Sequence, residues 1–377
     1  MKILFEHKGA CDQIADKTGC QNRPIRYKEN SFVVLGENLK VLASLLDNYR
    51  GKIDLVYIDP PFNTAQVFSV SKNRANAVSR QQGGCVAYSD AMTKEDFLEF
   101  MYERFVLIKE LLSDAGSLYV HIDTKMGHYF KIILDEVFGE NSFINDITRI
   151  KSNPKNFARK AYGNQKDMIL FYSKTQKHIW NEIRTMCTKQ ELEKRYRKID
   201  ADGRRYTTIP LHAPGETNSL SPTGSPWRGM NPPEGRHWRT DPAEFEKLDA
   251  QGLIEWSSTG NPRIKKYADE HRGKKIQDVW EYKDPQHPMY PTEKNLEMLE
   301  RIIKQSSNES SVVLDCFAGS GTTLLAAAKN NRRFIGVDQS SVAVDVIKKR
   351  LCEYDVEYIE FTEEIGEHQN DVLINKN

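Results

Sequence analysis

An acid, two prolines and an aromatic residue directly follow an apolar run in this sequence, as Asp59-Pro60-Pro61-Phe62 after residues 53–58. A buried strand that ends in this way would place a carboxylate, a rigid carbonyl and an aromatic face at one sheet edge. The prolines supply carbonyl oxygens without competing N–H donors. Such groups could hold a flat heterocycle that carries an exocyclic amine. Taken alone, the tetrapeptide is more typical of an ordinary proline-rich turn.

A second motif, far downstream, indicates a cofactor site. An apolar run ending at Asp315 leads into a Gly-x-Gly turn and an Ala/Leu-rich segment, as in the first strand, loop and helix of a doubly wound sheet. A further apolar run ends at Asp338, whose carboxylate could accept hydrogen bonds from ribose hydroxyls. The turn lacks the third glycine of a dinucleotide fingerprint and the Gly-Lys-Thr of a phosphate loop. The pattern therefore favours a nucleoside cofactor without a pyrophosphate.

The two motifs resemble the signatures of the amino-methylating DNA methyltransferases, which transfer methyl from S-adenosylmethionine to an exocyclic base amine. The catalytic motif precedes the cofactor motif, the order found in the β group of that family. Residues 290–294 (Tyr-Pro-Thr-Glu-Lys) resemble the element beside the methionine end of the cofactor, although the family's final proline is Asn295 here. The cofactor contacts implied by the resemblance are Asp315, Phe317, Ala318, Gly319, Ser320, Gly321, Thr322, Asp338, Thr292 and Lys294.

The resemblance also implies catalytic roles for Asp59, Pro60, Pro61 and Phe62. A target nucleotide flipped out of duplex DNA would stack on Phe62 and donate its amine hydrogens to the Asp59 carboxylate and the Pro60 carbonyl. Adenine N6 is favoured over cytosine N4, because an Asp-Pro-Pro-aromatic motif usually accompanies adenine in this family. Three alternatives stay open: a cytosine-N4 DNA methyltransferase, a non-catalytic DNA-binding module, and a methyltransferase for RNA or a small molecule.

The predicted fold class is α/β, a Rossmann-like doubly wound methyltransferase sheet with an inserted target-recognition region. A chain of 377 residues can bury a substantial core. Residues 64–91 are polar and without clear periodicity, and we expect them to form a mobile loop that closes over DNA and helps to extrude the base. The expected divisions are an N-terminal extension (1–30), a catalytic half (31–178), a target-recognition region (179–284), a cofactor-binding half (285–352) and an acidic tail (353–377).

Apolar patterning predicts further local elements. A helix is expected to begin at Glu37, and Thr93 is expected to cap another because acids and an apolar periodicity follow it. His121 is expected to be structural, because the implied chemistry needs no imidazole. The predicted strands are residues 31–36, 116–123 and 166–174.

The formal net charge of +1 hides a segregation of charge. Residues 149–205 contain sixteen Lys/Arg and six Asp/Glu, whereas the sequence is acidic from Glu353 onward. Basic, turn-rich stretches suit phosphate contacts, and arginine can pair with guanine. Trp227 and Trp238 fit equally well a role against bases and a role in the core of the insert. The predicted DNA contacts are Lys151, Lys155, Arg159, Arg228, Arg236 and Arg239.

Composition also limits the location and the partners. No run of about 18 apolar residues and no signal-peptide pattern occurs, so we expect a cytoplasmic protein with no membrane partner. The six cysteines lack metal-type spacing, so no structural metal is predicted. The resemblance implies double-stranded DNA as substrate, with a cognate restriction endonuclease and a second copy of this chain as candidate partners. A stand-alone enzyme is preferred, because the chain is short for a modification subunit.

Overall fold

The computed structural model describes residues 10–18, 24–26, 28–61, 67–71, 74–77, 85–89, 93–154, 160–218, 221–286, 288–290 and 293–361. The chain divides into two compact units. The larger unit comprises Met1–Ile183 with Gln277–Asn377, and the smaller unit comprises Arg184–Ile276. Within the described ranges, no helix is long and apolar enough to cross a membrane.

Nine described strands of the larger unit form one sheet, in which every neighbouring pair is parallel except the two pairs made by Lys166–Ser173. This architecture confirms the predicted doubly wound α/β class. In spatial order, and numbered along the chain, the strands are Val279–Glu281 (β17), Phe143–Ile150 (β7), Lys166–Ser173 (β8), Leu112–Ile122 (β6), Ile53–Ile58 (β2), Val312–Asp315 (β18), Arg333–Asp338 (β19), Ser31–Leu35 (β1) and Val356–Glu360 (β20).

The order of the strands reverses between β2 and β18. From β18 the chain proceeds to β19 on one side, whereas from β2 it proceeds to β6 on the other. Such a reversal leaves a crevice at the carboxyl ends of the strands, where ligands bind in open α/β sheets. Leu314 of β18 pairs with Val56 of β2, so Asp315 and Tyr57 are neighbours in register. Both sequence motifs therefore lie at one edge of the sheet.

Helices of the larger unit pack on this sheet through apolar side chains such as Leu42, Phe105 and Ile133. The predicted cap is confirmed, because the Thr93 hydroxyl accepts a hydrogen bond from the Asp96 N–H. The three predicted strands are also confirmed as β1, β6 and β8. The helices of this unit are Cys11–Lys17 (α1), Asn38–Tyr49 (α2), Lys94–Leu111 (α3), Gly127–Phe138 (α4), Leu296–Ser306 (α7), Thr322–Lys329 (α8) and Ser341–Arg350 (α9), with a short 3-10 helix at Glu140–Ser142.

The segment 64–91, predicted as a loop, contains secondary structure. Val67–Ser71 (β3) pairs in antiparallel fashion with both Arg74–Ala77 (β4) and Cys85–Ser89 (β5). The prediction of an unstructured segment is wrong for these residues. Only Arg74–Ala77 alternates strictly between polar and apolar residues, and each strand has just four or five residues, so the sequence carries almost no period-two signal.

Part of the predicted acidic tail belongs to the sheet. Val356–Glu360 forms β20 and pairs with β1 along its whole length, from Ser31 opposite Val356 to Leu35 opposite Glu360. Lys28 Nζ lies 2.6 Å from Glu357 Oε1, so a basic partner offsets one of the acids. The segment 353–360 is therefore an edge of the domain, where charged side chains also discourage pairing with other chains.

The smaller unit has its own apolar core around Trp227, Trp238 and Phe245. Trp238 Nε1 donates to the Ser225 carbonyl and Trp227 Nε1 to Glu246, so both tryptophans hold this unit together. Its described elements are Arg184–Thr185 (β9), Lys198–Ile199 (β10), Arg205–Pro210 (β11), His212–Pro214 (β12), Arg236–Trp238 (β13), Ile254–Trp256 (β14), Pro262–Tyr267 (β15), Lys274–Lys275 (β16), Lys189–Arg195 (α5) and Pro242–Ala250 (α6), with a 3-10 helix at Pro222–Gly224.

Candidate active site

Asp59 follows the carboxyl end of β2, and its two carboxylate oxygens differ in their hydrogen-bonding partners. Asp59 Oδ2 lies 2.5 Å from Lys294 Nζ. Asp59 Oδ1 is buried and has no hydrogen-bond partner among the residues that the structure describes. A buried acceptor without a donor costs free energy, and a ligand that supplies an N–H removes that cost. One oxygen is thus held by the protein, and the other is available to a ligand.

Of the other residues in the catalytic motif, the structure describes Pro60 and Pro61. Pro60 is buried directly after Asp59, and Pro61 lines the cavity in front of it. Phe62, predicted to stack on the target base, lies outside the described residues. So does Thr292, predicted to contact the cofactor. The roles assigned to these two residues stay predictions.

The glycine turn between β18 and α8 has the backbone conformation that requires glycine. Gly319 has φ +48° and Gly321 has φ +72°, both in the left-handed region that other L-residues avoid. Gly321 N donates to the Ala318 carbonyl at 2.7 Å, which closes the turn just before α8 begins. A Cβ on Gly321 would lie 2.8 Å from Ile347 Cγ1, whereas the nearest atom to a Cβ on Gly319 is in Tyr290, at 3.7 Å. Gly321 is therefore closely packed, whereas a Cβ on Gly319 would make only ordinary van der Waals contact with Tyr290.

Asp338, at the end of β19, holds the glycine turn from the neighbouring strand. Its Oδ2 accepts from Gly319 N at 2.8 Å, and its Oδ1 accepts from Ser340 N at 2.9 Å. Burial raises the pKa of Asp338, although these two backbone bonds oppose the rise. Each carboxylate oxygen retains a lone pair, so Asp338 can still accept from a vicinal diol such as a ribose.

Asp315 ends β18, which lies between the strands that lead to Asp59 and Asp338, and it is almost fully buried. Burial raises the pKa of Asp315 to about 7, and the charges of Asp59 and Asp338 add to the rise, while bonds from Thr323 and the Phe317 N–H oppose it. Four carboxyl groups line this cavity, those of Glu37, Asp59, Asp315 and Asp338, and this concentration of acidic groups suits a cationic ligand.

Most of the predicted cofactor residues surround a single cavity with Asp59. Lys294, Asp315 and Asp338 line it together with the turn between β18 and α8. The predicted members of this lining are Asp59, Pro61, Lys294, Asp315, Phe317, Ala318, Gly319, Ser320, Thr322 and Asp338.

Sequence reasoning missed a buried arginine that organises another wall of the cavity. Arg104 of α3 donates to Glu37 Oε1 at 2.5 Å and to Asn38 Oδ1 at 2.6 Å, and its guanidinium lies 3.3 Å from the centre of the Phe100 ring. Asn38 Nδ2 in turn donates to the Cys316 carbonyl at 2.9 Å. Glu37, Asn38 and Phe100 all line the cavity. The available signal was the polar Glu-Asn pair that follows strand β1 after Gly36.

The predicted DNA contacts are in varied environments. Lys151 Nζ lies 2.6 Å from Asp167 Oδ1 in the larger unit. In the smaller unit, Arg228 forms ion pairs with Glu246 and Asp249, the latter at 2.7 Å. These two cations are therefore paired with acids of their own units, and their predicted DNA contacts stay predictions.

The other predicted DNA contacts leave donors available or fall outside the structure. Arg236 is exposed, with NH1 3.3 Å from His212 Nδ1. Arg239 is also exposed and donates from Nε to the Pro210 carbonyl at 2.9 Å, so its terminal nitrogens extend beyond that bond. Lys155 and Arg159 lie outside the described residues. Across the described ranges, no cluster of three or more His, Cys, Asp or Glu side chains could hold a metal ion.

The crevice of this doubly wound sheet brings together the glycine turn, Asp338 at the end of the next strand and the Asp-Pro-Pro segment after β2. This combination defines a Rossmann-like methyltransferase. The chain belongs to the DNA methylase family of N6/N4 amino-methyltransferases, whose family model matches residues 53–349. Family membership identifies S-adenosylmethionine as the cofactor. The residues of the cavity fit this cofactor. Gly319 has a positive φ and no side chain, the Asp338 carboxylate can accept from a ribose, and the acidic lining suits a cationic nucleoside.

Curated relatives are methyltransferases of restriction-modification systems. The chain is 39% identical over 329 residues to the type II methyltransferase M.EcaI of Enterobacter cloacae, covering 86% of this chain and 69% of that protein. It is 27% identical to the StyLTI Mod subunit, a type III restriction-modification protein of Salmonella typhimurium, covering 80% of this chain and 50% of that subunit. It is 23% identical to the type II methyltransferase M.KpnI of Klebsiella pneumoniae, and the match covers 80% of this chain and 77% of that protein. The chain thus spans about half of the Mod subunit.

Proposed function

We propose that the protein transfers the methyl group of S-adenosylmethionine to N6 of an adenine that is flipped out of duplex DNA. The observation that carries the proposal is the unpaired buried oxygen of Asp59, beside the cofactor cavity and opposite an oxygen that Lys294 holds. The DNA methylase family supports the reaction, and the Asp-Pro-Pro motif supports adenine.

The chemistry follows from the acceptors at the end of β2. S-adenosylmethionine supplies an electrophilic methyl group on a sulfonium sulfur. Asp59 Oδ1 and the Pro60 carbonyl accept the two amine hydrogens, which localises the nitrogen lone pair that is otherwise delocalised into the ring. That pair forms the N–CH3 bond as the S–CH3 bond breaks with its electrons retained by sulfur, and the methylated, cationic nitrogen then releases one proton to water. Holding the two reactants at near-attack distance contributes several kcal/mol, roughly offsetting the few kcal/mol that base flipping costs.

The proposal also assigns roles to further residues of the two motifs. Phe62 provides the stacking surface for the flipped base, and Asp338 accepts from the ribose hydroxyls. Gly319 allows the close approach of the cofactor, while Thr292 lies beside its methionine end. The contacts from the turn are assigned to Asp315, Phe317, Ala318, Ser320, Gly321 and Thr322.

Target recognition is assigned to the smaller unit. Its exposed Arg236 and Arg239 are the proposed DNA contacts there, since Arg228 is committed to two acids. Lys155 and Arg159 are proposed to contact phosphates, whereas Lys151 is held by Asp167. The segment 64–91 is proposed to close over the DNA.

The biological setting is also a proposal. The relatives are named as methyltransferases of restriction-modification systems. We therefore propose that this methyltransferase modifies host DNA in the cytoplasm and is accompanied there by a cognate restriction endonuclease. The proposal includes a homodimer, the arrangement that the β-group resemblance implies.

The test is methyl transfer from labelled S-adenosylmethionine to duplex DNA, followed by identification of the modified nucleoside. We expect N6-methyladenine, and N4-methylcytosine would overturn the assignment of the base.

Asp59→Ala should abolish transfer while cofactor affinity is largely retained. Asp123→Asn, at the end of the neighbouring strand β6, is a matched control, because Asp123 only caps the next turn. Transfer by Asp59→Ala at the wild-type rate would refute the mechanism.

A further inference from the structure

Three polar side chains on neighbouring strands form a buried chain of hydrogen bonds that ends at the cavity. The Tyr57 hydroxyl on β2 lies 2.8 Å from His121 Nδ1 on β6. His121 Nε2 lies 3.3 Å from Asp167 Oδ2 on β8. Tyr57 lines the cavity, whereas His121 and Asp167 are almost completely buried behind it. The reaction mechanism above uses none of these three residues.

The ionisation of the two inner groups fixes the direction of the bonds. Burial opposes ionisation of Asp167, but the bonds from His121 and Lys151 outweigh it and lower the pKa of Asp167 well below its usual range. Burial lowers the pKa of His121, so the ring is neutral at neutral pH. An ionised carboxylate can only accept, so the single ring hydrogen is on Nε2 and points to Asp167. His121 Nδ1 must then accept from the Tyr57 hydroxyl.

This direction determines what Tyr57 presents to the cavity. Its only hydrogen is donated to His121, so its oxygen faces other groups solely as an acceptor. Burial raises the pKa of Tyr57, and the charge of Asp59 raises it further, so the hydroxyl stays protonated. Residues two apart in an extended segment project to the same side, which places Tyr57 on the side of Asp59. Asp315 is its neighbour in register on β18.

We propose that the Tyr57 oxygen accepts C–H···O bonds from the sulfonium methyl group of the cofactor, and that His121 and Asp167 are positioning residues that keep this oxygen an acceptor. The inference rests on the proposed function for the placement of the methyl group, which must lie beside Asp59 to reach the amine. The sulfonium charge polarises the methyl hydrogens, so a neutral oxygen with free lone pairs suits them. C–H···O bonds are individually weak, so the expected effect of losing one is small.

The first test compares two ligands by calorimetry without DNA. S-adenosylhomocysteine lacks the methyl group and the sulfonium charge but shares the remaining atoms of S-adenosylmethionine. Tyr57→Phe should weaken binding of S-adenosylmethionine by about two- to fivefold, the loss of one such bond, and leave S-adenosylhomocysteine unchanged. Tyr119→Phe is the matched control, because Tyr119 pairs with Tyr57 across β6 and is equally buried, but its hydroxyl bonds Ser306. Equal weakening of both ligands by Tyr57→Phe would overturn the contact.

The second test reverses the direction of the bonds while preserving shape. In Asp167→Asn the amide can donate to His121 Nε2, which moves the ring hydrogen to Nδ1 and turns the Tyr57 hydrogen towards the cavity. The same selective loss of S-adenosylmethionine affinity is expected, and Tyr57→Phe combined with Asp167→Asn should lose no more selectivity than either change alone. Because the readout is a ratio of two ligands, a reduced folded fraction affects both equally.

The outcomes separate this inference from the proposed function. If Asp167→Asn keeps the wild-type ratio while Tyr57→Phe changes it, the positioning role of Asp167 and His121 is refuted. If the wild-type protein binds neither ligand, the proposed function itself fails. If it binds both and methylates DNA while Tyr57→Phe leaves the ratio unchanged, only the Tyr57 contact fails.

Discussion

Lys294 Nζ lies 2.5 Å from Asp59 Oδ2, which joins the segment before helix α7 to the end of strand β2. The family resemblance assigned Lys294 to the cofactor, yet its ion pair is with the proposed catalytic carboxylate. The pair is mostly shielded from solvent, with the two side chains 10% and 16% exposed, so it is stronger than a surface ion pair. It fixes the rotation of the carboxylate and leaves Oδ1 directed to a ligand.

Lys294→Met should therefore slow the chemistry more than it weakens the cofactor. Loss of the ammonium frees the Asp59 carboxylate to rotate, and we expect single-turnover methyl transfer to fall about 10- to 100-fold, equivalent to roughly 1.4–2.7 kcal/mol. Affinity for S-adenosylmethionine should change less than about threefold, and Lys294→Arg should recover part of the rate. A large loss of cofactor affinity at a normal single-turnover rate would instead return Lys294 to the cofactor.

The buried acid Asp315 should make the ligand-free protein less stable as pH rises. Its pKa is raised to about 7, so the unfolded chain releases this proton first. The contribution of Asp315 to stability is full below about pH 4 and is lost as pH rises to about 7. Asp315→Asn cannot ionise, so its stability relative to wild type should increase over that interval by an amount on the order of 3 kcal/mol and level off above about pH 8.

Urea unfolding at a series of pH values measures this difference. Other acids titrate in both proteins and cancel in the comparison. The exposed Asp114→Asn is a suitable control, expected to show no such trend. A difference between Asp315→Asn and wild type that stays constant from pH 4 to 8 would show that Asp315 is ionised throughout.

Two arginine–glutamate pairs join opposite ends of helix α2 to helix α3, and they should differ greatly in their contribution to stability. Arg104 is buried and bonds both Glu37 and Asn38, whereas Arg50 pairs with Glu110 at the surface. Arg104→Met removes the donor to Asn38 Oδ1 and one donor to Glu37, which still accepts from the Leu39 and Lys40 N–H groups. Because Glu37 is also 37% exposed, we expect the free energy of unfolding to fall by only about 2–4 kcal/mol.

Arg50→Met should lower the free energy of unfolding by less than about 1 kcal/mol, because exposed ion pairs contribute little. Chemical denaturation measures the free energy of unfolding of both variants. Arg104→Met should also weaken cofactor binding, because Asn38 lines the cavity and holds the Cys316 carbonyl. Equal costs for the two substitutions would contradict the structural role assigned to Arg104.

The fold and the two ends of the site could be predicted because their signals are local. The apolar runs that end at Asp59, Asp315 and Asp338 are each contiguous in sequence, and the carboxyl ends of parallel strands meet at one edge. Sequence could not pair Lys294 with Asp59 or Tyr57 with His121, since these partners meet only through the order of the strands.

Charge was the least reliable guide in the sequence. Lys151 and Arg228 belong to basic stretches, but each has an acid within its own unit, at Asp167 and at Glu246. A cation paired in the fold and a cation free for phosphate are identical in sequence, because the difference depends on a residue that is distant along the chain. The same limit concealed Arg104, whose partners are on helix α2.

The two glycines of the cofactor turn should separate stability from binding. Gly321→Ala places a Cβ 2.8 Å from Ile347 Cγ1 at a positive φ, so it should destabilise the protein by about 2–4 kcal/mol through strain and overpacking. Gly319→Ala meets nothing closer than 3.7 Å and should cost only about 1–2 kcal/mol from its positive φ. Its methyl group, however, would enter the space proposed for the cofactor, so we expect affinity for S-adenosylmethionine to fall at least tenfold. Urea unfolding and calorimetry on the same preparations measure the two effects, and a Gly319→Ala protein with normal affinity would place the cofactor away from this turn.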